Sequence, residues 1–163
     1  MTYPEFLKIF DKKISQYFDR YSKYICCKKG CSSCCECGEY QITELELKYL
    51  MQGFLSLDDE TKKLVQTNFK NMQKGGVCPF LVNKECSVYD FRPIVCRVHG
   101  LAYQKDNFVQ LPYCANTGLN YSKVYEKGTI KIESINENLD TPEVLKDFDY
   151  GEIRSLYNWL NIL

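Results

Sequence analysis

Apolar residues recur every three or four positions through the first stretch of the chain. Phe6, Leu7, Phe10, Ile14, Tyr17, Phe18 and Tyr21 share one side of residues 4–24, with lysines and aspartates opposite, and this predicts an amphipathic helix. A second helix is predicted from Thr43 to Met51. Thr43 followed by Glu46 reads as a capping box, and Leu45, Leu47 and Leu50 supply the apolar side. Asp58-Asp59-Glu60 opens a third helix that runs towards Met72 and is stopped by Gly75-Gly76. The helical period then disappears. Val77 to Val82 is a short apolar stretch, and Asn83-Lys84-Glu85 turns the chain back to Cys86. Pro93 presets a helix start, so Ile94 to His99 is expected to form one short helical turn. Leu101 to Leu111, with Lys105-Asp106-Asn107 in its middle, reads as a hairpin. Thr141-Pro142-Glu143 is a cap, proline and acid in the order that opens a helix, and Ile153 to Leu163 has the period of another.

The pattern predicts an α+β fold: a small, helix-dominated single domain over residues 1–163, with a short β-hairpin and a loop-rich centre. What sets that centre apart is sulfur. The chain has 10 cysteines among 163 residues, and six of them lie between Cys26 and Cys37. Cys78, Cys86, Cys96 and Cys114 follow at wider intervals. Met1 to Arg20 breaks its apolar residues with Lys8, Asp11, Lys12, Lys13 and Asp19, unlike the apolar core of a secretory leader. No apolar run reaches the roughly 18 residues that span a bilayer. A cytoplasmic chain is therefore expected. In that reducing compartment, clustered cysteines bind metal or carry redox chemistry more often than they bridge. Adjacent thiols such as Cys34-Cys35 also bridge each other only with strain.

Spacing adds detail. In Cys27-x3-Cys31-x2-Cys34-Cys35, four thiols come within reach of one or two metal ions, because a two-residue gap over a tight turn lets two sulfurs face one ion. Soft thiolates suit zinc and iron–sulfur clusters alike. Lys+Arg and Asp+Glu both number 21, so there is no electrostatic footprint for nucleic acid or an anionic membrane. The 13 tyrosines and 9 phenylalanines read as core packing, since the basic neighbours of a base-stacking platform are dispersed.

The second half carries Cys78-Pro79-Phe80-Leu81, then Cys86-Ser87-Val88-Tyr89, then Arg92-Pro93-Ile94-Val95-Cys96-Arg97. With the first cluster, this order resembles the CxxCxxCC, or YkgJ-type, cysteine-cluster family, described as zinc- or iron-chelating. The resemblance covers residues 27–114 and implies a ligand set of Cys27, Cys31, Cys34, Cys35, Cys78, Cys86 and Cys96. Cys114 sits where many members carry one further cysteine, which makes eight candidates, while Cys26 and Cys37 match no family position. Family members carry labels such as Fe–S oxidoreductase. A related cysteine pattern occurs in flagellin lysine N-methylase, for whose remaining parts this chain is short.

Residues beside the cysteines complete the picture. Arg92 and Arg97 flank Cys96 and are candidates to offset the negative charge of a thiolate cluster. His99, the only histidine, is a candidate partner or ligand near the site, and Asp90 a candidate partner for Arg92. Glu36 and Glu39 read as solvated loop charges. There is no phosphate-binding glycine loop, no H-E-x-x-H and no serine elbow. Cys31-x-x-Cys34 lacks the β-α-β surroundings of a thioredoxin-like pair. Three functions follow: an iron–sulfur protein with a redox or electron-transfer role, a structural-zinc module that binds a protein partner, or a metal-capture and delivery protein.

Overall fold

A computed structural model describes residues 1–25, 33–36, 39–112 and 134–163. The fold is α+β, with helices and short antiparallel strand pairs. The chain forms two compact units, each drawn from two stretches of sequence.

The first unit takes in Met1–Cys27 and Arg97–Leu139. Helix α1, Tyr3–Arg20, begins at a capping box in which Thr2 and Glu5 satisfy each other. It buries Leu7, Phe10 and Ile14, as the periodicity predicts, and Tyr3 besides, while Phe6, Tyr17 and Phe18 on the expected face are half-buried. A turn of 3-10 helix over Ser22–Tyr24 ends it, so the expected helix over 4–24 breaks at Tyr21. Strands β4, Tyr103–Lys105, and β5, Phe108–Gln110, form the expected hairpin. Tyr103 also bridges Ile135, with Gln104 donating its N–H to the Ile135 carbonyl at 2.9 Å.

The second unit takes in Lys28–Cys96 and Asp140–Leu163. Its described elements start with α2, Ser33–Glu36, a single helical turn in the cysteine loop. Strand β1, Gln41–Thr43, runs straight into α3, Glu44–Leu55, which is capped by Thr43 and Glu46 as expected. Helix α4, Asp59–Asn71, is capped by Asp58 and ends where Met72 turns extended, ahead of the two glycines. Strands β2, Leu81–Val82, and β3, Glu85–Cys86, form a minimal hairpin whose turn is Asn83-Lys84. Both turn residues have positive φ, 51° and 62°, the geometry of a type I′ turn. Glu85 therefore belongs to the returning strand. A 3-10 turn over Tyr89–Phe91 leads to α5, Ile94–Arg97. Helix α6, Thr141–Val144, has Asp140 at the position just before it, so Thr141 is its first residue and not its cap.

The sequence pattern misplaces one element. The helix expected over Ile153 to Leu163 begins only at α7, Leu156–Asn161. Its first three residues are strand β6, Ile153–Ser155, paired antiparallel with β1. Strand pairing decides this: the partner β1 offers backbone groups to residues 153–155, and Ser155 then caps α7 through Asn158 at 3.1 Å. Trp159 on α7 donates its indole N–H to the Ile42 carbonyl at 2.9 Å, which ties α7 to β1. Ile42, Leu47, Leu50, Phe54, Val65, Phe80, Val88 and Trp159 form the unit's apolar core.

Candidate metal centre

Five of the eight expected thiols lie among the described residues. Cys34, Cys35, Cys78, Cys86 and Cys96 all belong to the second unit, are unbridged, and are half-buried. Cys27, Cys31 and Cys114, with Cys26 and Cys37, lie outside the described residues.

Short elements present the five thiols. Cys34 and Cys35 sit on α2, where Tyr40 donates its hydroxyl to the Cys34 carbonyl at 2.6 Å. The Cys35 carbonyl accepts the Cys78 N–H at 2.8 Å, so the first cluster is tied to the Cys-Pro-Phe-Leu segment by backbone. That segment is anchored in turn. Phe80 is 1% exposed and meets the Phe69 ring edge-on at 5.3 Å. Asn68 on α4 donates to the carbonyls of Pro79 and Leu81 at 3.1 and 3.2 Å, which ties the segment to α4. Ser87 closes the loop after Cys86 by donating its N–H and its hydroxyl to the Phe80 carbonyl. Cys78 and Cys86 both pack against the apolar core.

Cys96 stands on α5, whose Cys96 N–H donates to the Pro93 carbonyl at 3.0 Å. Glu46 reaches the same turn from α3: its Oε1 accepts the Ile94 N–H at 2.8 Å. The capping box was legible in the sequence, and this contact over 48 residues was not. Asn68 and Tyr40 were likewise missed, because a lone Asn in a helix and a Tyr in a loop carry no motif.

The thiols act on one another. The hydrogen bond with Cys35, then burial, raises the Cys34 thiol far above the usual range, and the nearby charge at Cys35 adds to this. Cys35 gains some thiolate character from its hydrogen bond with Cys34. Its hydrogen bond to Cys78, burial, and the charges at Cys78 and Cys86 outweigh this and push it up to about 12. Burial raises Cys86. Burial also raises Cys96 strongly, with the charges of Cys34, Cys35 and Cys86 adding to the shift. Arg92 opposes the rise at Cys34, Cys86 and Cys96. It is held in place by stacking over the Tyr89 ring, 3.5 Å from its centroid, and by Nε donating to the Tyr89 carbonyl at 2.8 Å.

Arg97 is buried in the first unit, where its guanidinium pairs with the Asp11 carboxylate. His99 belongs to the same unit, and burial lowers its pKa, which favours the neutral imidazole. Among the described residues, no three Cys, His, Asp or Glu side chains are drawn close enough together to hold a metal ion. The donor set nevertheless fits a soft cation. Burial and one another's charge hold the protons on the unbridged Cys34, Cys35, Cys86 and Cys96, and a bound cation is the partner that lets neighbouring thiolates share a site. Among the described residues, no helix is long and apolar enough to cross a membrane.

An α+β chain that gathers thiols on short turns over an apolar core is of the class that chelates soft metal ions. The family model CxxCxxCC, whose description is "putative zinc- or iron-chelating domain", matches residues 26–115, somewhat over half the chain. The chain belongs to this family. No curated protein and no solved structure matches it.

Proposed function

We propose that this is a cytoplasmic, cysteine-ligated metal protein whose thiols hold zinc or an iron–sulfur cluster, with a redox or electron-transfer role when the metal is iron. The observation that carries the reading is that Cys34, Cys35, Cys86 and Cys96 feel one another's charge, with the Arg92 guanidinium acting on Cys34, Cys86 and Cys96. Four thiolates on a divalent ion leave a net negative charge, and a nearby arginine offsets it while offering donors to sulfur. The proposed ligands are these five thiols together with Cys27, Cys31 and Cys114, with Arg92, Arg97 and His99 as supporting residues. Unbridged thiols among the described residues support a reducing compartment.

A second reading, structural zinc in a module that binds a protein partner, is favoured by a different observation. Strands β2 and β3, which lead to Cys86, are only two residues each. A hairpin that short needs outside support, and a metal bond supplies it. Anaerobic purification followed by elemental analysis and a visible spectrum tests both. Stoichiometric iron with a visible thiolate-to-iron band supports the redox reading, and stoichiometric zinc in a colourless protein supports the structural one. A protein that binds neither metal in stoichiometric amount would overturn the proposal.

A further inference from the structure

Among the described residues are two capping boxes of the same local design, and only one of them is buried. At the start of α1, Glu5 Oε2 accepts the Thr2 N–H at 2.7 Å and the Thr2 hydroxyl at 2.9 Å. At the start of α3, Glu46 Oε2 accepts the Thr43 N–H at 2.7 Å and the Thr43 hydroxyl at 2.9 Å. Glu5 does this from solvent, so capping needs one carboxylate oxygen and no burial. Glu46 is 1% exposed, and its other oxygen accepts the N–H of Ile94, the first residue of α5. Burying a carboxylate is costly unless its oxygens are satisfied. Both the burial and the second contact are surplus to capping, and both point at the turn that carries Cys96.

The same short segment touches the other cluster. Three residues before Thr43, Tyr40 donates its hydroxyl to the carbonyl of Cys34. The stretch from Tyr40 to Glu46 is itself fixed: its strand β1 pairs with β6, Leu156 donates to the Tyr40 carbonyl at 3.0 Å, and Trp159 donates to that of Ile42. A rigid strand–helix junction thus holds the backbone of Cys34 at one end and that of the Cys96 turn at the other. Resting on the metal-centre reading above, we infer that Tyr40 and Glu46 are positioning residues for that centre, setting the spacing between its Cys34 and Cys96 arms before metal arrives.

The test is zinc affinity of the full, reduced chain, measured anaerobically by competition with a chromophoric chelator. Tyr40→Phe and Glu46→Gln should each weaken zinc binding by about 10–100-fold, the usual effect of losing an outer-shell contact. Glu5→Gln, which alters the matching box on α1, should leave affinity within about twofold, since among the described residues the Glu5 carboxylate bonds back to Thr2 and reaches no thiol. Glu46→Gln should add little in a Cys96→Ser background, and Tyr40→Phe little in a Cys34→Ser background, because each acts through the thiol already removed. With cobalt as the probe, the thiolate-to-metal band of Glu46→Gln should fall towards that of Cys96→Ser, a change a purely structural loss would not produce. Full additivity in the double variants, or wild-type affinity in Tyr40→Phe and Glu46→Gln, would overturn the inference. If Glu46→Gln does not fold, Tyr40→Phe decides, since it removes a single hydroxyl. Wild-type zinc affinity in both Cys34→Ser and Cys96→Ser would overturn the metal-centre reading itself. Weakened serine variants beside an unaffected Tyr40→Phe and Glu46→Gln would overturn the positioning role alone.

Discussion

Gly53, in the last turn of α3, lies against the segment that leads into Arg92 and Cys96. A Cβ placed there would stand 2.5, 2.7 and 2.8 Å from Cγ, Cδ2 and Cβ of Phe91. Ordinary carbon contacts lie at about 3.5–4.0 Å, so the ring would have to retreat by roughly 1 Å. It has little room to do so. Phe91 ends a 3-10 turn and packs at a tilt of 41° against Tyr49, with ring centroids 4.9 Å apart. Gly53→Ala removes a helix-interior glycine, a gain of about 1 kcal/mol. Overpacking a fixed site costs about 1–3 kcal/mol. The net expectation is a loss of about 1 kcal/mol, or some 2–4 °C in Tm for a chain of this size. Urea unfolding of the metal-loaded protein under anaerobic conditions reads it directly, with a lower midpoint and an unchanged slope. In a Phe91→Ala background the sign should reverse, and Gly53→Ala should become stabilising by up to about 1 kcal/mol. A Gly53→Ala protein more stable than the parent would refute the reasoning, since it would mean that Phe91 yields freely.

Three further outcomes follow from the same geometry. Removing metal with a chelator under reducing conditions should broaden or abolish cooperative melting, because strands β2 and β3 are two residues each; an unchanged melt after verified metal loss would contradict this. Zinc affinity should climb with pH. The raised pKa values of Cys34, Cys35, Cys86 and Cys96 keep protons on the metal-free thiols, and metal must displace them. The climb should therefore continue past about pH 8.5, the ordinary thiol value, towards the value of about 12 at Cys35, and a plateau below pH 8 would count against it. Lys84→Gly should stabilise the β2–β3 hairpin by about 0.5–1 kcal/mol, because Lys84 holds a left-handed φ of 62°; a lower Tm in the metal-loaded variant would count against this.

Local signals in the sequence proved reliable where one element decides its own fate. The apolar stripe of α1, the Thr43–Glu46 box, the Asp58 cap and both hairpins depend on neighbours within a few residues. Strand β6 was misread because Ile153 and Leu156 also suit a helical period, and only the distant β1 makes residues 153–155 extended. What the sequence made legible of the candidate site was the family's run of cysteines, and its scaffold was illegible. Tyr40, Asn68 and the second oxygen of Glu46 act over contacts of six to 48 residues, and none of the three side chains carries a motif for such a role. Arg97, which flanks Cys96, pairs with Asp11 on α1, a partner 86 positions away that no local pattern announces. The sequence-predicted Cys27, Cys31 and Cys114 rest on spacing and family resemblance.

Thiol alkylation of the native protein, compared with and without bound metal and read cysteine by cysteine by mass spectrometry, tests the central claim most directly. Metal should protect Cys27, Cys31, Cys34, Cys35, Cys78, Cys86, Cys96 and Cys114, while the labelling of Cys26 and Cys37 should not depend on it. Metal-dependent protection of Cys37 with none at Cys114, or labelling of Cys34, Cys35, Cys78, Cys86 and Cys96 that ignores metal altogether, would contradict the account.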